Sequence, residues 1–362
     1  MVAPVFQSAT YESGDETSYH GIRYLRLNNS PNHLALAGKL AALENAESAV
    51  VAASGMAAIA TALFTVLGSG GHVLAHRTLY GGTHDLLTKE FASHGLSFDL
   101  MDADDPGSWS AKLRPTTRAA YVETITNPLL EVCDLEAVVR FARENELVAM
   151  VDNTFASPVN FRPAEHGFDL SLHSGTKYLN GHSDIVAGAV IGRADLVEQV
   201  THRLNHLGGT LDPHACFLLD RGLKTLVLRV RQHNASALAL ARFLEAHPAV
   251  ALVHYPGLTG HPQHTRATRL LAGFGGMLSF ELHGGLASAR QFLQSVELAI
   301  VAPSLGSVET LVTRPAATAH LGLSRSQRAA SGVTDGLVRV SVGIEALDDL
   351  LDDFGQALDR VS

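Results

Sequence analysis

Cysteine is scarce in this chain: Cys133 and Cys216 are the only two in 362 residues. Two thiols exclude a disulfide framework and a four-cysteine metal site. Charge is also thin, at 17% of residues, and unbalanced, with 36 acidic against 27 basic side chains and a net −9. That balance argues against nucleic acid or an anionic membrane as the main partner. It leaves room for a local basic pocket that takes a small anion. No charged-then-apolar leader opens the sequence, so a reducing cytoplasm is expected rather than export. One long stretch, 48–71, carries no charge. It is Ala-rich and interrupted by Ser54-Gly55, Thr61 and Thr65, which suits a buried strand and a buried helix better than a lipid-facing span. Neither GxGxxG nor GxxxxGK[ST] occurs, so neither a dinucleotide nor a nucleoside triphosphate is suggested. Repeats and low-complexity tracts are absent as well.

What is present is a chain long enough for two domains, 46% hydrophobic, with the balance of a folded protein. Between residues 48 and 192 short apolar runs alternate with helix-length segments. The runs are 49–53, 72–76, 97–101, 118–123, 147–152, 169–174 and 184–192. Runs apolar on both faces and joined by helices predict a mostly parallel sheet in an α/β domain. Residues 213–247 read as one long helical stretch leading to a smaller α+β domain. That domain has strands at Met277–Leu282 and Leu337–Val342 and a last helix at Ala346–Leu358. Residues 1–40 read as irregular, broken by Asn28-Asn29-Ser30-Pro31-Asn32.

Polar residues collect where these strands end, and in an open α/β sheet the ligand crevice lies at the carboxyl ends. Ser54-Gly55-Met56 follows the first run and opens a helix: a phosphate site, or a plain strand-to-helix turn. Asp152 closes a buried run, where a carboxylate needs a cation, strong donors or a capping role. Lys177 follows the sixth run among small and hydroxyl residues. An amine in such surroundings loses its proton easily and can form a Schiff base, though most lysines are merely solvated.

The segment from Asp169 to Ser183, with Ser174-Gly175-Thr176-Lys177-Tyr178 at its centre, resembles the pyridoxal-phosphate attachment segment of the Cys/Met metabolism enzymes. That family holds cystathionine γ-lyases, γ-synthases and β-lyases, methionine γ-lyases and homoserine-ester sulfhydrylases. Further pieces agree in order along nearly the whole chain. They are Tyr24-x-Arg26, Ala53-Ser54-Gly55-Met56, Thr78-Leu79-Tyr80-Gly81-Gly82-Thr83, Thr126-Asn127-Pro128, Val151-Asp152-Asn153-Thr154, Arg221 to Leu226, Ser304-Leu305-Gly306 and Leu337 to Gly343.

The resemblance implies the aspartate-aminotransferase fold type (type I): a mostly parallel seven-stranded sheet domain over 41–220 and a linker helix with a C-terminal α+β domain over 221–362. Residues 1–40 would form an arm contacting a neighbouring subunit. It implies that Lys177 holds pyridoxal phosphate and then moves protons, and that Asp152 keeps the ring nitrogen protonated. Ser54, Gly55, Met56, Ser174 and Thr176 would bind the phosphate. Tyr24 and Arg26 would reach the phosphate of a neighbouring subunit, so the site needs a homo-oligomer, at least a dimer and by family habit a tetramer. Tyr80 would stack on the ring and act as acid and base, and Asn127 would sit near the ring hydroxyl. The chain starts almost at Pro4-Val5-Phe6-Gln7, short of the longer arm of many relatives, which bears on the tetramer more than on the dimer.

Arg339 has separate support. It alternates with Val338 and Val340 along a strand, and its planar fork suits an amino acid's α-carboxylate, or an internal acid. Ser304 would help orient that carboxylate. His202 and His206, at i and i+4, lack a matching acid or cysteine and read as surface or interface residues, so no metal is expected.

The expected reaction is a γ-elimination from a cystathionine-like sulfur amino acid, giving 2-oxobutanoate, ammonia and a thiol. The alternatives are γ-replacement on a homoserine ester and methionine γ-lysis. Gly82 stands where bacterial methionine γ-lyases carry cysteine. Pro303 stands where many cystathionine enzymes carry a glutamate, and proline cannot meet a distal amino group. Asn153-Thr154-Phe155 and Asn180 to Asp184 look most like cystathionine γ-lyases and γ-synthases.

Overall fold

The computed structural model describes residues 2–12, 14–318, 321, 324, 328 and 331–361. The chain folds as two units. Unit 1 comprises Met1–Thr124, Cys133–Pro158 and Arg162–Lys224; unit 2 comprises Ile125–Val132, Val159–Phe161 and Thr225–Ser362.

Unit 1 is built on a seven-stranded sheet. Its strands are β1 (Ser48–Ala52), β2 (His72–His76), β3 (Ser97–Met101), β4 (Thr117–Glu123), β5 (Val148–Asp152), β6 (Leu170–Ser174) and β7 (Gly188–Gly192). The spatial order is β1-β7-β6-β5-β4-β2-β3. β7 pairs antiparallel with both its neighbours, and the remaining pairs are parallel. Every strand predicted from the apolar runs is present, and the sheet is mostly parallel as expected.

Local chemistry sets the flanking helices α1 (Pro31–Glu44), α2 (Gly55–Leu67), α3 (Leu135–Glu144), α4 (Ala194–Leu207) and α5 (Pro213–Leu223). α2 starts because extended Ser54 accepts the Ala57 N–H on its hydroxyl at 3.0 Å, and it stops at Gly68, φ 61°. Its Ala58, Ile59, Ala62 and Leu63 face the sheet and are fully buried with Val197 and Val200 of α4. Truncating Leu63 to Ala would leave a void costing about 2–5 kcal/mol. The cluster Asn28 to Asn32, read from sequence as a breaker, instead founds α1. Asn28 turns the chain at φ 53°, Ser30 caps the helix and Pro31 fills its first position, where no donor is needed.

The stretch 213–247, expected as one helix, is two. α5 ends at Leu223, Thr225 leaves helical geometry at φ −110°, ψ 3°, and α6 (Leu226–Ala246) begins afresh. Thr225 serves the new helix as its first acceptor, its carbonyl taking Arg229 N at 2.9 Å and its hydroxyl Arg229 Nε at 3.1 Å. In α5, Gly222 lies so close to Asn180 that a Cβ would stand 2.4 Å from the Asn180 carbonyl oxygen.

Unit 2 carries a five-stranded sheet, order β10-β11-β12-β9-β8, with β8 (Val250–His254), β9 (Met277–Leu282), β10 (Ile300–Val301), β11 (Leu311–Thr313) and β12 (Val338–Ser341). Its core joins this sheet to α6, α7 (Gly285–Ser295) and α8 (Leu347–Asp359). Phe292 stands edge-on to Phe280 at 5.3 Å and to Phe354 at 5.4 Å between ring centroids.

Candidate active site

The carboxyl ends of the unit 1 strands bring Gly55, Met56, Tyr80, Asp152 and Ser174 together. Ser174 ends β6, and a Cβ on Gly55 would come within 2.9 Å of its Cβ and 3.0 Å of its Cα. The first turn of α2 therefore rests on the end of β6 only because residue 55 has no side chain. Next to Gly55, Met56 Sδ and the Tyr80 ring converge over Gly82, where a Cβ would stand 2.8 Å from the sulfur and 2.6 Å from Tyr80 Cε1. The Tyr80 backbone N–H donates to Glu123 Oε1 at the end of β4. Glu123 is the register partner of Asp152 at the end of β5. Thr154 closes the circuit: its N–H donates to Asp152 Oδ1 at 2.9 Å, and its Oγ1 accepts Ser174 N at 2.9 Å.

Lys177 lies three residues beyond β6, half-buried, in a turn where its N–H donates to the Ser174 carbonyl at 3.2 Å. Thr176 is tied to the opposite limb: its Oγ1 accepts Ala187 N at 3.0 Å. Burial pushes the Asp152 carboxyl above its usual range, against the Thr154 bonds and the charge of His173, which pull it down. Glu123 is pushed well above the usual range, by burial first and then by Asp152. His173 is engaged behind the site, Nε2 to Glu44 Oε1 at 2.6 Å, and Glu44 also accepts Asn153 Nδ2 at 3.1 Å.

Tyr24 and Arg26 also belong to unit 1. Arg26 donates to the Asn205 carbonyl at 3.0 Å and to the Tyr19 hydroxyl, and lies 5.4 Å from the Tyr24 ring centroid. In unit 2, Arg339 is buried on β12 and donates to Asn127 Oδ1 at 3.1 Å and to the Ser304 carbonyl at 2.9 Å. Ser341, two residues on, accepts Gly306 N at 2.8 Å, so both side chains of that strand face serve the 304–306 loop. His202 and His206 stack edge-on at 4.5 Å, and no metal-binding cluster occurs among the described residues.

Sequence reasoning overlooked Glu123, Thr154 and Glu44. The signal for Glu123 was present: like Asp152, it is the acid that ends an apolar run.

These groups fit a phosphorylated pyridine. The opening amides of a thirteen-residue helix have no partner within the helix and attract an anion, and the close approach at Gly55 leaves the backbone bare there. Asp152, drawn toward protonation by burial, is the acid that a protonated ring nitrogen would hold ionised. Lys177 follows three residues after Ser174, on which the start of that helix rests. The fold and this set of groups define a pyridoxal-phosphate enzyme of the α/β kind.

The chain belongs to the family of Cys/Met metabolism PLP-dependent enzymes, whose model matches residues 1–359. It is 41% identical to the cystathionine gamma-lyase of Bacillus subtilis over 99% of this chain and 94% of that one. It is 38% identical to the L-methionine gamma-lyase of Treponema denticola over 100% and 93%, and 40% identical to the cystathionine beta-lyase of Coxiella burnetii over 99% and 93%. Among solved structures, cystathionine gamma-lyase from Lactobacillus plantarum, complexed with L-serine, superposes with a TM-score of 0.94 at 36% identity, covering 99% and 93% of the two chains. Among the described residues, no helix is long and apolar enough to cross a membrane.

Proposed function

We propose that this enzyme is a carbon–sulfur lyase that carries out γ-elimination on cystathionine, releasing 2-oxobutanoate, ammonia and a thiol. The full-length likeness to cystathionine γ-lyases supports the reaction type. The observation that carries the choice of substrate is at Gly82. A side chain there would run into Tyr80 and Met56, so the cysteine of methionine γ-lyases has no room beside Tyr80 as it stands.

Bound pyridoxal phosphate supplies an electron sink for a carbanion at the substrate's Cα. Lys177 would hold the cofactor and, once released, take the Cα proton and shuttle it. Asp152 would keep the ring nitrogen protonated. Ser54, Gly55, Met56, Ser174 and Thr176 would hold the phosphate, the helix amides doing most of it. Tyr80 would lie on the ring and pass a proton to the leaving sulfur. Arg339, steadied by Asn127 and the Ser304 carbonyl, would take the α-carboxylate. By the resemblance, Asn127 would sit near the ring hydroxyl.

The enzyme would work as a dimer or a larger assembly, tetramer included, with Tyr24 and Arg26 turned to a neighbour's phosphate. Val2, Val5 and Phe6, apolar and exposed on the N-terminal stretch, support such an assembly. Two buried cysteines kept as thiols suit a cytoplasmic setting.

Methionine γ-lysis is the second reading, favoured by Pro303 and by the Treponema relative. γ-Replacement on a homoserine ester is the third. The test is 2-oxobutanoate release from L-cystathionine and from L-methionine, assayed separately on cofactor-loaded protein. Fast release from cystathionine alone supports the proposal. Equal or faster release from methionine replaces it with the second reading, and release from neither points to the transferase.

A further inference from the structure

Glu123 is 5% exposed, ends β4 and stands in register with Asp152, so two carboxyl groups sit side by side at the strand ends. Neighbouring buried acids do not both ionise. Asp152 has a role that needs a charge, holding a ring nitrogen protonated. Glu123 has a different one, since its Oε1 accepts the main-chain N–H of Tyr80. An un-ionised carboxyl can do that through its carbonyl oxygen, with no charge required.

Tyr80 itself needs anchoring. It is 44% exposed, it follows β2 on a loop, and its ring touches the space over Gly82 beside Met56. The hydrogen bond from beneath fixes the backbone at the one residue whose hydroxyl is in play. The titratable groups around Glu123 are Asp152 on β5, Tyr121 two residues back on β4 and Tyr80 on the loop after β2. His173 on β6 acts through Asp152.

We propose that Glu123 is a positioning residue that works in its protonated form, fixing Tyr80 from below while leaving Asp152 the single anion toward the ring nitrogen. This rests on the active site proposed above. Burial and the neighbouring Asp152 charge both push Glu123 in the required direction.

The experiment compares Glu123→Ala and Glu123→Gln, each also in a Tyr80→Phe background, in cofactor-loaded protein. Two readouts are taken: kcat/KM with L-cystathionine, and the pH titration of the cofactor's own absorbance. Glu123→Ala removes the acceptor, and kcat/KM is expected to fall about 10–100-fold from misplaced Tyr80. Glu123→Gln keeps a carbonyl acceptor and should restore most of that loss, with the absorbance midpoint at the wild-type pH. In the Tyr80→Phe background the cost of Glu123→Ala should shrink, because the hydroxyl being placed is already gone.

A shifted midpoint in Glu123→Gln, with activity as low as in Glu123→Ala, would show that Glu123 carries a charge and overturn the proposal. So would an undiminished cost of Glu123→Ala in the Tyr80→Phe background. If Glu123→Ala does not fold, the isosteric Glu123→Gln still decides through its absorbance midpoint. Wild-type protein that never develops cofactor absorbance would sink the active-site reading and this proposal with it. A normal wild-type absorbance beside a shifted Glu123→Gln midpoint sinks the proposal alone.

Discussion

Arg339 reaches the main-chain carbonyl of Ser304 at 2.9 Å, and Ser304 is held at φ 92°, a conformation that side chains avoid. A serine there stores about 1–3 kcal/mol, which the surrounding contacts, among them this hydrogen bond and Gly306 on Ser341, must overcome. The guanidinium and the loop thus fix each other.

Arg339→Lys keeps the charge and loses the fork that serves Asn127 and Ser304 together. KM for the amino-acid substrate is expected to rise about 10–100-fold, the worth of one charged hydrogen bond at about 1.5–3 kcal/mol. Cofactor absorbance should not change. Steady-state kinetics check this, and a fall in kcat at constant KM would mean that Arg339 does not hold the carboxylate.

Gly82→Cys puts a side chain where the Tyr80 ring and Met56 Sδ now meet. Both are mobile ends of side chains, so the fold should survive with under about 1.5 kcal/mol lost. The displaced Tyr80 should cost about tenfold or more in kcat with cystathionine. Adding Met56→Ala should return part of it by giving the ring room. If Gly82→Cys alone leaves kcat intact, Tyr80 does not depend on the bare backbone beneath it.

Gly55→Ala meets a harder obstacle, since a Cβ would lie 3.0 Å from the main-chain Cα of Ser174. The first turn of α2 must then lift from β6, and its amides with it. Cofactor affinity should drop at least about tenfold, measured by equilibrium dialysis of pyridoxal phosphate, while Lys177→Ala should abolish covalent attachment outright if Lys177 holds the cofactor as proposed. Unchanged affinity in Gly55→Ala would remove the helix start from the phosphate site.

Acid should destabilise the fold before it reaches the carboxylates. Burial pushes His76, His233 and His261 down to about 4, whereas an unfolded histidine titrates near 6.5. Between those limits the unfolded chain binds more protons than the native one, so stability falls as pH drops from about 6.5 to about 4. Asp152 and Glu123 have the opposite sign. Raised in the fold, their contribution is complete below the unfolded carboxyl range and is lost as pH rises through their folded values. For cofactor-free protein, melting temperature should therefore fall by several degrees from pH 7 to pH 5. A flat profile would show that the Asp152–Glu123 pair offsets these histidines or that they are not buried neutral, and a flat profile also in Glu123→Gln would leave the second.

The strands, and the family string around Lys177, were legible because both are local signals. An apolar run buried on two faces looks the same wherever it lies, and the residues around Lys177 form one continuous string. Asp152 could be read for the same reason, as an acid ending such a run. Glu123 ends a run in the same way, yet its meaning depends on register with β5 and on a backbone amide forty-three residues upstream. Nothing in its own neighbourhood announces either. The break at Thr225 was hidden because Arg221 to Leu226 is helical in composition on both sides of it. The assignment of Ile125–Val132 and Val159–Phe161 to unit 2 depends wholly on distant partners, such as the Pro128 carbonyl that accepts from Ser279. The cluster at Asn28 to Asn32 was misread since residues that break regular structure also cap and open a helix.

Because β7 runs against its neighbours, Ser174 and Gly188 face each other on one rung of the β6–β7 ladder. The excursion carrying Lys177 therefore leaves and re-enters the sheet at the same place, and Thr176 stitches it once more to Ala187 just above that rung. It is a loop by shape but inherits the slow opening of a central strand pair. Its exposed tip is tied back as well, His182 Nδ1 to the Asn180 carbonyl at 2.7 Å and Asn180 Nδ2 to Asp184 Oδ1 at 2.7 Å. The lysine is thus held from both ends of its loop, and the Asn180 N–H also donates back to the Gly175 carbonyl at 3.1 Å.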